Sequence, residues 1–283
     1  MTRAPNVRLG LVNLPENVSL VREVLAGLAG AVPLDDGLLD DVKTVVSEAC
    51  NNVVLHAYDG APGPLDVEIR IAAGTLEIAV RDSGCGIRPR LGTKGELQGI
   101  GIPVIHALSD RVEFTGGIGE GTEVRMFFDV PGARELDPAA ADEQQDGPPP
   151  AVVDAASGSA QAATLIVAPI SLARSVLSRP LTALAARARF SIDRLSDLQL
   201  VTDAITAHAG RSLRGGRLQV GVLVATRDLE LRIGPLRPGM ASQLIGDTAV
   251  AGLEPLIETL ADEVTVESFG DADVLTLRLL DSR

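Results

Sequence analysis

A stretch near the middle of this 283-residue sequence restricts what the chain can fold into. Residues 132–161 are rich in Ala, Gly, Asp and Gln, contain three consecutive prolines, and show no apolar periodicity. Such a segment buries too little apolar surface to form a core, and its prolines favour an extended spacer. The sequence therefore predicts two domains, residues 1–131 and 162–283, joined by a linker. The alternative is one domain with a long surface loop, although structureless loops of this length are uncommon.

The composition excludes several classes of function. The chain is 46% hydrophobic, which is enough for packed cores, and its 25 Lys and Arg against 38 Asp and Glu give a net charge of −13. This charge and an aromatic content of 2% argue against nucleic-acid binding. Cys50 and Cys85 have the spacing of neither a disulfide framework nor a metal knuckle. Because no leader or membrane-spanning stretch is recognisable, we expect a soluble, cytoplasmic protein without membrane contacts.

The first half alternates strand and helix patterns. Apolar and charged residues alternate over residues 65–71 and 76–80, which is typical of half-buried strands. The other predicted elements are a strand at 7–14, helices at 18–28, 35–58 and 102–109, and a hairpin of strands 112–115 and 122–130. The order β-α-α-β-β-α-β-β predicts the α+β class, with helices on one face of a mixed, mainly antiparallel sheet.

The second half repeats this order. Its predicted elements are strands at 164–167, 218–224, 229–233, 264–268 and 274–280, and helices at 172–186, 196–209 and 252–260. Local sequence similarity supports the parallel, because residues 261–266 resemble 108–114 and residues 270–274 resemble 119–124. A tandem duplication, giving two α/β sandwich domains of one type, accounts for the length better than two unrelated domains.

Polar residues on the long helix predicted over 35–58 suggest a cation site. Glu48, Asn52 and His56 lie at i, i+4 and i+8, so they share one stripe of the helix. A carboxylate and an amide oxygen one turn apart suit a hydrated Mg²⁺ ion. The alternative is a solvated polar face without a ligand.

Glycine-rich segments strengthen the interpretation as a binding site. Asp82 ends a predicted strand and is followed by Gly84 and Gly86, a pattern that lets the backbone approach a flat ligand while the carboxylate accepts from an amine such as that of adenine. Gly99 and Gly101 directly precede a helix, where backbone N–H groups suit phosphates. The surrounding pattern is not a dinucleotide-binding fingerprint, since it lacks the third glycine and the βαβ unit.

A last segment, Gly-x-Gly followed by Thr122, leads into the final strand. Together the four segments resemble the N, G1 and G2 boxes and the terminal Gly-x-Gly-Thr of the GHKL (Bergerat-fold) ATPases. Within that superfamily, residues 6–130 are most similar to the anti-sigma-factor serine kinases, and residues 47–58 match their N-box helix closely.

The resemblance implies a role for each candidate residue. Asn52 would coordinate Mg²⁺, and Glu48 would be the general base towards a serine hydroxyl or water. Asp82 would read the adenine amino group. The remaining implied contacts to ATP are Gly84 and Gly86 along the base, Gly99 and Gly101 at the phosphates, and Thr122 in support of the adenine site. The implied partners are a sigma factor, an antagonist protein that becomes phosphorylated on serine, or both.

Two other functions remain open. The protein could be a non-catalytic interaction module in which ATP only sets the conformation, and the short lid over residues 87–98 puts phosphoryl transfer in more doubt than binding. The only cationic residues of this lid are Arg88, Arg90 and Lys94. The protein could also be the ATPase part of a histidine kinase, although none of its histidines has the acidic neighbour and proline of a phosphoacceptor helix.

The second half lacks most of the candidate ligands. The aligned pairs are Glu48 with Asp203, Asn52 with Ala207, Asp82 with Pro235, and Thr122 with Asp273. We therefore expect this half to keep the fold without binding ATP. Since the related kinases work as dimers, the resemblance implies that a fused silent copy could supply the second subunit's surface, as an internal pseudo-dimer.

Overall fold

The computed structural model describes residues 4–86, 101–117, 119–138, 161–249 and 254–282. The chain divides into two compact units. We call Val7–Leu136 the N-terminal unit, and Asp137–Arg283 together with Met1–Asn6 the C-terminal unit. Most of the segment expected to be a linker lies outside the described residues, so the boundaries 131 and 162 stay predictions.

The N-terminal unit combines three helices with a five-stranded sheet in its described residues. Its elements are β1 (Val7–Val12), α1 (Pro15–Leu28), α2 (Asp36–His56), β2 (Pro64–Ala72), β3 (Thr75–Asp82), α3 (Gly101–Leu108), β4 (Arg111–Gly116) and β5 (Thr122–Asp129). The strands lie in the order β4-β5-β3-β2-β1, and each neighbouring pair is antiparallel. The predicted α+β class is confirmed, and the sheet of this unit is antiparallel rather than mixed.

Helix α2 is the longest element and organises the core of this unit. Asp35 caps its first turn, since the carboxylate accepts the Leu38 N–H at 2.8 Å. The fully buried side chains of α2 follow the helical 3/4 spacing and face α1, α3 and β3. Opposite them, β2 buries Leu65 to Ile71 at every second residue. The sheet therefore has one face against the core, and its other face carries charged side chains.

Those charged side chains form a continuous series of ion pairs across four strands, which we call the charge ladder. Its members are, in order of contact, Arg8, Glu68, Arg81, Glu123, Arg125, Glu77 and Arg70. Three of the pairs sit directly opposite each other in the strand register. Opposite charges at such positions stabilise a sheet, and each inner member contacts two partners of the other sign.

The C-terminal unit has a similar succession of elements. They are β6 (Gln161–Val167), α4 (Ala173–Arg187), α5 (Ile192–His208), β7 (Leu218–Ala225), β8 (Asp228–Leu236), α6 (Met240–Gly246), α7 (Leu256–Leu260), β9 (Glu263–Phe269) and β10 (Ala272–Leu280). Its strands lie in the order β6-β7-β8-β10-β9, again with antiparallel neighbours. No helix within the described ranges of either unit is long and apolar enough to cross a membrane.

Three helices of this unit differ from the expectation. Helix α5 begins four residues before Ser196, because Ser191 caps it by accepting the Arg194 N–H. Helix α6 was not predicted; it follows Gly239, which has a left-handed φ of +75° and ends a proline-containing run. The helix expected over 252–260 starts at Leu256, and residues 250–253 lie outside the described ranges.

The charge ladder predicts a pH dependence of stability. Burial alone would raise the pKa of Glu68, but hydrogen bonds from Arg8 and Arg81 and their charges outweigh it, so the net pKa is lowered from 4.5. A group whose pKa is lower in the folded than in the unfolded state stabilises the protein at pH values above its unfolded-state pKa. This stabilisation is lost as the pH falls through the folded-state pKa. We expect Glu68→Gln to lower the free energy of unfolding at neutral pH by about 1 kcal/mol. The free energy of unfolding should also fall less on acidification in this variant than in the wild type.

Chemical denaturation at neutral pH and below pH 4.5 measures both effects. Glu113→Gln is the matched control, because its ion pair with Arg111 is at least half exposed on both sides and spans 3.3 Å. An exposed pair of this kind contributes little. Equal losses in the two variants would contradict the role of the charge ladder.

Candidate functional site

The polar stripe predicted on α2 is present in the structure. Glu48 and Asn52 lie one turn apart and are half-buried, whereas His56 at the end of the helix is exposed. Within the described residues, neither Glu48 nor Asn52 has a side-chain hydrogen bond or an ion pair, so their oxygens are available to a ligand.

The carboxyl end of α2 meets residues 82–86, which comprise the last residue of β3 and the four that follow it. We call this segment the β3 loop. The Cys85 N–H donates to the Ala57 carbonyl at 2.8 Å, and the Ser83 N–H donates to the Tyr58 hydroxyl at 2.8 Å. Gly84 packs so closely that a Cβ atom there would lie 2.1 Å from the Ala57 oxygen. Backbone contacts therefore hold the β3 loop against the helix that carries Glu48 and Asn52.

Asp82 has a structural role in this loop that the sequence did not predict. The side chain is half-buried, and its Oδ1 accepts the Gly84 N–H at 2.8 Å. Such a contact two residues along the chain stabilises a turn. The second carboxylate oxygen has no hydrogen bond within the described residues, so Asp82 can shape the loop and still accept from a ligand.

The turn between β4 and β5 contacts the same loop. The Gly119 N–H donates to the Cys85 carbonyl at 2.9 Å. Gly86 has φ of +70°, and a Cβ atom there would lie 1.9 Å from the Gly117 oxygen. Thr122 is half-buried and lies opposite Asp82 in the register of β5 and β3. Gly84 and Gly86, which were predicted to admit a ligand, are thus also required by close packing against neighbouring backbone.

The remaining candidates belong to the segment before α3. Gly99 and the lid over residues 87–98, with its three cations, lie outside the described residues. Gly101 is the first residue of α3, which packs against α2. The phosphate-binding role of these glycines therefore stays a prediction.

The two cysteines have different surroundings. Cys50 is fully buried in the core, and burial raises the pKa of its thiol to about 12. A thiol with so high a pKa is a poor nucleophile. Cys85 is half-buried, and its Sγ donates to the His56 carbonyl at 3.3 Å, which ties it to the end of α2. Cys50 therefore belongs to the core, whereas Cys85 links the β3 loop to α2.

The burial pattern of α5 revises the alignment of the two units. The buried residues Val42, Val45, Val46 and Ala49 of α2 have the same spacing as Leu198, Val201, Thr202 and Ile205 of α5. This register places Ala204 at the position of Glu48 and His208 at that of Asn52. The pairing by sequence of Glu48 with Asp203 and of Asn52 with Ala207 differs from this register by one residue, because sequence similarity alone does not identify the buried face.

Acidic side chains of the C-terminal unit are held by internal contacts. Asp203 accepts two hydrogen bonds from Arg174, at 3.0 and 2.8 Å. Asp273, which stands where the N-terminal unit has Thr122, is 4% exposed. Its Oδ2 accepts the Gly239 N–H at 2.7 Å, and its Oδ1 accepts the Ser268 hydroxyl at 2.8 Å. Both carboxylates thus have internal partners, whereas Glu48 has none among the described residues.

The N-terminal unit matches a known protein family, and the chain has similar relatives. Residues 11–128 match the family model of the histidine kinase-like ATPase domain. The chain is 31% identical over 123 residues to the anti-sigma F factor of Anoxybacillus flavithermus, covering 40% of this chain and 84% of that protein. It is 32% identical over 121 residues to the anti-sigma F factor of Geobacillus stearothermophilus, covering 39% of this chain and 83% of that protein.

Among solved structures, the histidine kinase domain of the blue-light activated histidine kinase EL346 from Erythrobacter litoralis is 26% identical. The match covers 33% of this chain and 45% of that chain, with a TM-score of 0.28, which is too low to support a conclusion about the fold. The family model covers the unit in which α2, the β3 loop and the β4–β5 turn meet. The chain belongs to the GHKL superfamily of histidine kinase-like ATPases.

Proposed function

We propose that this protein is an ATP-binding regulator of a sigma factor, with the nucleotide bound by its N-terminal unit. The observation that carries the proposal is the meeting of three motif-bearing segments, α2, the β3 loop and the β4–β5 turn, through backbone contacts. The names of the relatives, anti-sigma F factors, support a sigma factor as the partner.

The donor atoms at this place fit Mg²⁺ and ATP. Asn52 would hold Mg²⁺ through its amide oxygen, since a half-buried oxygen donor that has no partner among the described residues suits a hard cation. Bound Mg²⁺ would neutralise phosphate charge. Asp82 would accept the adenine amino group with the oxygen that the β3 loop leaves free, and Gly84 and Gly86 would line the base. Gly99, Gly101 and Thr122 complete the proposed contacts.

The same site would support phosphoryl transfer to a protein. Glu48 lies one turn from Asn52 and would accept the proton of a serine hydroxyl on an antagonist protein. The serine oxygen would bond to the γ-phosphorus of ATP as the bond from that phosphorus to the bridging β–γ oxygen breaks, which releases ADP. The alternative, an interaction module in which ATP sets the conformation without transfer, uses the same binding contacts. The two functions differ only in whether Glu48 acts as a base.

The C-terminal unit is proposed to be a silent copy of the same fold. Its order of strands and the burial spacing of α5 support a tandem duplication. Ala204 and His208 replace the acid and the amide, and Asp273 is bonded within its own unit. A linked second copy would offer a partner a second surface at high effective concentration, which a single copy obtains only by dimerisation.

Nucleotide binding is tested first by thermal unfolding. We expect Mg-ATP at about 100 times its Kd to raise the Tm of the wild-type protein by about 5 °C, since binding to the folded state alone adds about 2.7 kcal/mol. Asn52→Ala and Asp82→Asn should lose most of this shift. Asp203→Asn, an acid-to-amide change in the C-terminal unit, is the control and should keep it. A wild-type protein without any shift would refute the site.

Catalysis is tested by incubation with γ-labelled ATP and a candidate antagonist protein that carries an acceptor serine. If Glu48 is the base, Glu48→Gln should slow labelling about 10²- to 10⁴-fold while Mg-ATP binding persists. Labelling that is unaffected by Glu48→Gln would exclude this role. Tight binding of ATP without labelling would favour the interaction module.

The silent copy predicts a stoichiometry. Equilibrium titration of the full chain with Mg-ATP should reach one nucleotide per chain, and Asp82→Asn should abolish it without exposing weaker binding elsewhere. A second site that persists in Asp82→Asn would contradict the proposal for the C-terminal unit.

A further inference from the structure

We propose that Tyr58 is a positioning residue of the candidate site, whose hydroxyl couples the carboxyl end of α2 to the β3 loop. The inference rests on the proposed function, because it deepens the account of how the same nucleotide site is held. Tyr58 lies two residues beyond the end of α2 and is half-buried. The phenol is not one of the candidate contacts to ATP or Mg²⁺.

The hydroxyl of Tyr58 makes two hydrogen bonds to backbone atoms. It donates to the Pro64 carbonyl at 2.5 Å and accepts the Ser83 N–H at 2.8 Å. Pro64 begins β2 and Ser83 directly follows β3, where Leu65 and Asp82 are paired in the register. One side chain thus joins the helix to the adjoining ends of two neighbouring strands.

The ring itself is held in place by the segment before β2. Gly63 lies flat against it, because a Cβ atom at Gly63 would be 2.3 Å from the ring Cε1 atom. Asn13 fixes Gly63 in turn, accepting its N–H at 2.7 Å and donating its own N–H to the Gly63 carbonyl at 2.9 Å. The ring is therefore held by contacts outside the β3 loop.

The bond to Ser83 bears directly on the ligand-facing acid. Ser83 lies between Asp82 and Gly84, and these two neighbours are joined by the bond from the Gly84 N–H to Asp82 Oδ1. Holding the Ser83 N–H therefore restrains the backbone from which the Asp82 carboxylate projects. A phenylalanine would fill the same space as the tyrosine ring, so packing alone does not require the hydroxyl.

The surroundings keep the phenol protonated at neutral pH. Burial raises the pKa of Tyr58, the hydrogen bond from Ser83 lowers it, and the charges of Asp82 and Asp66 raise it, with a net increase above 10.0. Tyr58 is also the only tyrosine in a chain without tryptophan. Tyrosinate absorbance therefore reports on this hydroxyl alone.

Tyr58→Phe is the variant that tests the inference. We expect the Kd for Mg-ATP to rise about fivefold, the change that loss of one ordinary hydrogen bond produces. Amide exchange at Ser83 should become faster in the variant. Gly63→Ala, which displaces the ring, should also weaken binding, whereas the control Gly246→Ala, where a Cβ atom meets nothing within 4 Å, should leave the Kd unchanged.

Failure of this inference can be told apart from failure of the proposed function. In the wild-type protein, the alkaline absorbance titration should have its midpoint above that of the denatured chain, and Mg-ATP should raise it further. If the wild type binds Mg-ATP and Tyr58→Phe binds it equally well with unchanged Ser83 exchange, the positioning role is overturned while the proposed function stands. If the wild type fails to bind, the proposed function is lost, and Ser83 exchange in Tyr58→Phe still decides whether the hydroxyl holds the loop.

Discussion

The contact between the carboxyl end of α2 and the β3 loop determines the geometry of the candidate site. It is a contact of backbone on backbone, in which the Ala57 carbonyl accepts the Cys85 N–H and Gly84 leaves no room for a side chain. Main-chain atoms make this bond, and the Tyr58 hydroxyl adds a side-chain contact to the Ser83 N–H. This contact joins the helix that carries Glu48 and Asn52 to the loop that carries Asp82.

The fold of the N-terminal unit was largely predictable because its signals are local. Strict alternation of apolar and charged residues marks β2 and β3, and helical spacing with a capping Asp35 marks α2. The features that escaped prediction depend on tertiary contacts. The start of α5 is set by Ser191, whose own N–H is bound by Asp281 from the far end of the chain. No local pattern carries that information.

In the candidate site too, local signals were predictable and tertiary contacts were not. The residue types at Glu48, Asn52 and Asp82 indicated ligand chemistry, and the structure leaves oxygens of each without a partner among the described residues. The dual role of Asp82 and the packing role of Gly84 and Gly86 could not be inferred, since a glycine that admits a ligand and one that admits a neighbouring backbone look identical in a sequence. Likewise, the register of α5 became clear only from which residues are buried.

The charge ladder has a consequence for how this sheet can change during evolution. Arg81 serves both Glu68 and Glu123, and Arg125 serves both Glu123 and Glu77. Replacing one inner arginine therefore leaves two carboxylates facing each other, and its effect depends strongly on what occupies the neighbouring positions. Substitutions on this face are expected to be tolerated in compensating groups rather than singly. The outer face of a sheet usually varies more freely than the core, but here its positions are coupled.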